Sequence, residues 1–254
     1  MKISRLLLMV MAFIVASGLL LASGMAAAPS PSVDYHIYAG LLERYVHNDR
    51  VDYAGLKQEE ALLDRYLDAL ADIDAQRLPD KERFAFFVNA YNAWTLKLIL
   101  ANYPGIHSIK ELGSIWQSPW KKKIARIDGK QLTLDEIEHD ILRPQFRDPR
   151  VHFAVNCASK GCPPLYDVPF NGRDLDRQLD HVTRAFINDP TRYRIDGNVL
   201  YVSRIFKWYG EDFNDDPLGF FKVYAEGDLK AKLQANPQGW QVKYLDYDWS
   251  LNEL

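Results

Sequence analysis

Apolar positions early in the chain recur at helical spacing. From Asp34 to Val46 they are Tyr35, Tyr38, Leu41, Leu42 and Tyr45, and from Leu56 to Leu70 they are Leu62, Leu63, Tyr66, Leu67 and Leu70. Both stretches predict amphipathic helices. The segment from Asp80 to Tyr103 predicts a longer and more buried helix, because Phe84 to Leu100 is apolar nearly all round and Asn102 and Pro104 supply the stop. Two asparagines, Asn89 and Asn92, interrupt that apolar surface on one face. An amide left unpaired there would cost about 1–3 kcal/mol, so each must hold partners, most simply by tying down a neighbouring loop.

Beyond Pro104 the pattern shortens. Lys122 to Ile127, Asp128-Gly129 and Gln131-Leu132 read as a hairpin around a turn dipeptide, and Arg192 to Ser203 as a second hairpin through Asp196-Gly197-Asn198. Thr133 opens a helix to Leu142, with Glu136 completing a capping box and Pro144 closing it. Arg150 to Asn156 reads as a strand and Asp174 to Asn188 as an amphipathic helix. Pro217 to Tyr224 and Leu229 to Leu233 read as short helices, and Gln241 to Tyr247 as a last strand. Helices followed by short antiparallel pairs predict an α+β fold, a helical N-terminal part packed on a mainly antiparallel sheet.

The first residues have a different texture. Lys2 and Arg5 precede an apolar run from Leu6 to Leu21, and a run of small residues follows from Ala22 to Ala28. This is the plan of a secretory signal peptide, and the apolar run of about 16 residues is short of the roughly 20 that a membrane span needs. Residues 1–28 are therefore expected to be a signal peptide and 29–254 a single domain, exported to the periplasm or secreted, with no stable membrane insertion after cleavage. Ala26 and Ala28 both fit the cleavage pattern, and Pro29 favours the bond after Ala26. A formal charge of −3 brings no broad basic excess. Nucleic acid is thus not an expected partner, and Lys121 to Lys123 read as a solvated strand end.

Candidate chemistry lies around the two cysteines, Cys157 and Cys162. The predicted strand runs straight into a small-residue turn, Asn156-Cys-Ala-Ser-Lys-Gly-Cys162, where a side chain and free backbone N–H groups would be exposed to a substrate. Cys157 is either a nucleophilic thiol or one half of a Cys157–Cys162 disulfide that rigidifies the turn. Structural zinc takes four ligands and the chain offers no second cysteine pair, so no metal and no cofactor is expected.

A nucleophilic cysteine needs a base. On a strand His152 and Cys157 would point to opposite faces, which leaves His139, on the preceding helix with Asp135 and Glu136, as the expected base and Glu136 as its orienting carboxylate. Glu136 has a competing use in the capping box. Asn89, Asn92, Asn156, Trp208 and Tyr209 are the candidate substrate contacts. The aromatic stretch Ser203 to Phe213 either walls a cleft or simply packs.

Four ordered segments carry a resemblance: Phe86 to Leu100, Leu134 to Arg143, His152 to Leu165 and Ser203 to Phe213. Together they resemble the family known as domain of unknown function 547, with the motifs inside residues 86–213. The resemblance implies an exported bacterial domain distantly related to papain-like and transglutaminase-like cysteine enzymes. In those enzymes the cysteine opens a buried helix. Here the corresponding long helix carries Asn89, which implies a permuted arrangement or lost chemistry. The function expected from all of this is a cysteine-dependent amide hydrolase or acyl transferase acting on peptides or a thiol-peptide such as glutathione. The alternative is a non-catalytic periplasmic module that binds a small molecule or a protein, shaped by the disulfide.

Overall fold

In the computed structural model of the chain, which describes residues 33–114, 116–236 and 239–254, the long helix predicted from Asp80 is the centre of the molecule. The helical front end comprises α1 (His36–Tyr45), a short pair β1 (Val46–His47) and β2 (Arg50–Val51), α2 (Tyr53–Gln58), α3 (Glu60–Ala71) and α4 (Asp80–Leu100). The single helix expected over Leu56 to Leu70 is two, divided at Glu59. Helix α4 is buried on all sides, from Phe84 on one turn to Ile99 and Leu100 on the last, as a segment apolar all round requires. Helix α3 lies along it, with Leu63, Tyr66, Leu67 and Leu70 inward.

The second half wraps the other sides of α4. The first hairpin is β3 (Ala125–Ile127) with β4 (Lys130–Leu132), closed by Asp128 and Gly129 in left-handed conformations at φ 52° and 66°. Next come α5 (Leu134–Glu136), a π-helical turn over Ile137–Leu142, α6 (Arg143–Phe146) and α7 (Val151–Ala154). Then follow α8 (Leu175–Asn188), the hairpin β5 (Arg194–Asp196) with β6 (Val199–Val202), α9 (Ile205–Trp208), α10 (Pro217–Tyr224), α11 (Gly227–Gln234) and β7 (Gln241–Tyr244). The fold is α+β. Its sheets are small and mainly antiparallel, and the largest holds three strands in the order β5-β6-β7, with β5 and β6 antiparallel and β6 and β7 parallel. The described residues, from 33 to 254, belong to one compact unit. The expected signal peptide lies outside the described residues. Among the described residues no helix is long and apolar enough to cross a membrane.

Two expectations need correction. Arg150 to Asn156 is not a strand: Val151–Ala154 is one turn of helix packed on α8, and the chain becomes extended only at Val155. The β-branched and aromatic residues that suggested a strand are the buried contacts of that turn, so tertiary packing overrides local preference. Nor does Pro144 close the helix that Thr133 opens. The capping box forms as expected, with Glu136 N–H donating to Thr133 Oγ1 at 2.9 Å and Thr133 N–H to Glu136 Oε2 at 2.7 Å. The helix then widens into the π turn and resumes through Pro144 to Phe146. A widened turn accommodates a proline ring and its missing N–H.

The asparagines on α4 bind neighbouring loops. Asn89 Nδ2 donates to Phe170 O at 2.8 Å while its Oδ1 accepts from Phe170 N–H at 3.0 Å. Asn92 Nδ2 donates to Ala154 O at 2.9 Å, and its Oδ1 accepts from Asn156 N–H at 2.8 Å. Both side chains are buried. Replacing Asn92 with Ala strands a buried carbonyl and a buried N–H, and is expected to lower unfolding stability by about 2–4 kcal/mol in urea titration. An unchanged midpoint would show that the loop does not depend on this clamp.

Candidate functional site

The loop after α7 is fixed from several directions. Asn92 holds Ala154 and Asn156 against the central helix. Asn156 Nδ2 donates to Pro163 O at 2.7 Å, and its Oδ1 accepts from Ala158 N–H at 2.9 Å. Ala158 takes a left-handed backbone at φ 58°. On the outer side the C-terminal segment runs alongside: Lys160 N–H donates to Ser250 O at 2.9 Å, Gly161 N–H to Asp248 O at 2.8 Å and Asn252 N–H to Ala158 O at 3.1 Å. A Cβ on Gly161 would lie 3.0 Å from both the nitrogen and the oxygen of Asp248, so this close approach requires glycine.

These bonds change one expectation. Two of the backbone N–H groups beside the cysteine are not free for an oxyanion, because that of Cys157 donates to Cys162 Sγ at 2.9 Å and that of Ala158 to Asn156 Oδ1 at 2.9 Å. The Ser159 N–H is different: it bonds the Cys157 sulfur and helps to lower that thiol.

Both cysteines are free thiols, Cys157 partly exposed and Cys162 buried. Their environments push them in opposite directions. The hydrogen bond with Cys162 is the main cause that lowers Cys157 to about 7; burial opposes it, and Ser159 and Tyr247 add to the lowering. Ser159 Oγ stands 3.2 Å and Tyr247 OH 3.4 Å from Cys157 Sγ. Burial and then the neighbouring Cys157 raise Cys162 well above the ordinary thiol range. Tyr247 is likewise pushed up by burial and by the two sulfurs, so it keeps its proton as a donor.

Cys157 opens into a cavity of about 330 Å³. Its floor includes Val155, Cys162 and Tyr91, its aromatic walls are Trp120, Trp208, Tyr209, Tyr247 and Trp249, and its polar side holds Asp135, Glu138, His139 and His152. Of the candidate residues, Cys157, His139, Trp208 and Tyr209 line this cavity together. The others stand elsewhere: Glu136 is spent on the helix cap, and Asn89, Asn92 and Asn156 position backbone behind the cavity rather than lining it. The carboxylate beside His139 is Asp135, whose Oδ1 is 3.8 Å from Nε2.

Hydrogen bonding fixes the roles of the two histidines. Arg143 Nη1 lies 3.0 Å from His139 Nδ1, and since a guanidinium only donates, Nδ1 accepts and the proton sits on Nε2. His139 therefore presents a donor. His152 is the reverse: its Nε2 lies 2.6 Å from Asp212 Oδ2, a carboxylate that only accepts, so Nε2 carries the proton and Nδ1 is the basic nitrogen. Nδ1 is 4.0 Å from Glu138 Oε1, and the ring stacks on Tyr209 with centroids 4.0 Å apart. Burial acts to raise Asp212, but the hydrogen bonds from His152 and Arg143 outweigh it and hold the carboxyl well below its usual range. Arg143 reaches Asp212 at 2.6 Å and Glu211 at 2.5 Å. His152, set aside on strand geometry, stands at the cavity because its backbone is helical. Glu138, Asp212 and Tyr247 are further site residues that spacing alone did not single out.

The family model described as "Protein of unknown function, DUF547" matches residues 75–187. The matched stretch carries α4, both candidate histidines and both cysteines. Trp208, Tyr209, Asp212 and Tyr247 lie beyond it. No curated protein and no solved structure matches the chain.

A thiol lowered in this way alkylates early in a pH titration. The rate of Cys157 modification by iodoacetamide, followed by peptide mass spectrometry, is expected to rise through a midpoint at about pH 7, with Cys162 unlabelled while the protein stays folded. Tyr247→Phe removes a donor to the thiolate and should move the midpoint upward. A midpoint in the ordinary range near 8.5 would mean that the hydroxyls and Cys162 do not stabilise the thiolate.

Proposed function

Residues 75–187 match the DUF547 family model, and from that premise we propose that the chain is an exported cysteine-dependent amide hydrolase or acyl transferase, acting on peptides or a thiol-peptide such as glutathione. The observation that carries this reading is a partly exposed thiol lowered to about 7 in the same cavity as a histidine oriented by a carboxylate. The reactive group is Cys157, the acid–base group His152, and Asp212 positions the imidazole.

The reaction runs in two halves. Cys157 passes its proton to His152 Nδ1, and the thiolate attacks the carbonyl carbon of an amide. The C–N bond then breaks, the leaving amine takes the proton from the imidazolium, and a thioester remains on Sγ. Water, or an acceptor amine, next gives a proton to His152 as it attacks the thioester. The sulfur leaves as the thiolate, and the proton on His152 returns to it, which restores the resting pair of thiol and neutral imidazole. Oxyanion charge would be met by the Tyr247 hydroxyl and His139 Nε2–H, since the N–H groups of Cys157 and Ala158 are engaged.

The alternative of a binding module shaped by a disulfide finds less support, because both sulfurs are free and the Cys157 N–H donates to Cys162.

p-Nitrophenyl acetate separates the two readings without a known substrate. A hydrolase releases a rapid burst of nitrophenolate that rises with pH through about 7, and leaves an acetyl group on the Cys157 peptide. Cys157→Ala abolishes the burst with the melting temperature nearly unchanged, and His152→Ala slows turnover by about 100-fold or more. Absence of an acyl-enzyme, or undiminished turnover in Cys157→Ala, would leave the cavity as a binding site only.

A further inference from the structure

Resting on the reading of this cavity as a substrate site, we infer that it selects a substrate bearing a positively charged ammonium or guanidinium group close to the reacting carbonyl, and disfavours acidic ones. The argument begins with charge. Asp135 and Glu138 line the cavity, while no Lys or Arg does so among the described residues. The nearest guanidinium, Arg143, is already shared between Glu211 and Asp212. Even with His152 protonated, its charge is matched by Asp212. A Cys157 thiolate would add a further negative charge. The balance inside is negative, and in a partly desolvated cavity that balance weighs more than it would in open water.

Aromatic walls point the same way. Tyr247 and Trp249 have ring centroids 4.5 Å apart, and Trp208 lies 4.8 Å from Tyr247 and 5.6 Å from Trp249. Trp208 is 44% exposed, a large aromatic surface left to solvent at the mouth. Clustered indole and phenol faces attract cations through their quadrupoles. This cluster already does so once, since Lys110 Nζ lies 4.9 Å from the Trp249 ring centroid, although Lys110 is not among the cavity's lining residues.

Glutathione carries two carboxylates against a single ammonium, and none of the lining cations that would receive them is present. A lysine, arginine or other amine-bearing chain brings an apolar stem for the aromatic wall and a charge for Asp135 and Glu138. A volume of about 330 Å³ suits such a side chain with its flanking peptide groups.

Binding can be measured apart from catalysis in Cys157→Ala, by titration calorimetry at about pH 8 in low salt, above the ordinary imidazole range. The probes are the N-acetyl methylamides of lysine, norleucine and glutamate, with glutathione as a fourth. The lysine probe is expected to bind about tenfold more tightly than its neutral norleucine counterpart, and the glutamate probe and glutathione more weakly than norleucine. Asp135→Asn, at a partly exposed position, should bring the lysine-to-norleucine affinity ratio close to one. Glu138→Gln is a second, independent variant with the same expected effect. Equal affinity for lysine and norleucine, tighter binding of the acidic probes, or a lysine preference that survives both substitutions would overturn the inference. Acylation of Cys157 is not involved in any of these readouts, so loss of the hydrolase reading and loss of the cation preference are told apart.

Discussion

One buried amide holds the site in place. Asn92 projects from the most buried helix of the molecule, and its two hydrogen bonds reach Ala154 O and Asn156 N–H, on either side of the point where α7 gives way to extended chain. A helix end normally leaves its last carbonyls without partners. Here the side chain supplies a donor to one of them and at once takes the N–H that follows. That single clamp sets where the helical turn stops, and so sets where Cys157 begins. Asn156 carries the same logic one step further, spanning Pro163 and Ala158 across the cysteine loop. The position of the thiol is thus dictated by polar groups inside an apolar core, where they are strong and where leaving one unpaired is costly.

The same economy of partners governs the charged side of the cavity. His152 is nearly inaccessible, and a buried imidazole that must accept and release a proton needs a fixed counter-group. Asp212 fills that role, and Arg143 in turn keeps Asp212 ionised, so the chain of bonds runs from guanidinium to carboxylate to imidazole. Arg143 also touches His139 and fixes that ring in the complementary tautomer. One arginine therefore sets one histidine to donate directly and the other to accept through a carboxylate. The π-helical turn from Ile137 to Leu142 makes this possible by shifting the phase of the helix, so that Glu138 and His139 both face the cavity while Glu136 stays at the cap.

How much of this was legible in the sequence follows from the range of the forces involved. Helix α4, both hairpins and the capping box are local, and period, turn dipeptides and cap spacing mark them directly. The demand of Asn89 and Asn92 for partners was also readable, since a buried amide must be satisfied wherever it lies. The phase shift of the π turn was not. Glu136 is held at the cap, the carboxylate beside His139 is Asp135 one turn earlier, and His152 takes its carboxylate, Asp212, from a distant segment. Val151–Ala154 has the composition of a strand, and only packing against α8 together with the Asn92 clamp makes it helical. Strand parity, which would put His152 and Cys157 on opposite faces, does not hold for a helical turn, and His152 reaches the cavity. Asp212, Tyr247 and Trp249 meet the site from the far end of the chain, and no local signal links them to Cys157.

The two thiols show why such long-range contacts matter for chemistry. Two sulfurs this close cannot both hold a charge in a buried site, because the second ionisation would face both desolvation and the first thiolate. The surroundings decide which one ionises. Cys157 has Ser159 and Tyr247 hydroxyls within reach and an open side toward the cavity, while Cys162 sits behind it, buried and pointing toward the Val155 carbonyl at 3.8 Å. Cys162 then acts as a neutral neighbour that strengthens the thiolate of Cys157 rather than competing with it. Tyr247 comes from the C-terminal segment, and that segment is pinned to the cysteine loop through Asp248, Ser250 and Asn252. Since the N–H groups of Cys157 and Ala158 are consumed in holding the loop's shape, this tyrosine both lowers the thiol in the resting protein and remains available as a donor when charge moves from sulfur to a substrate oxygen.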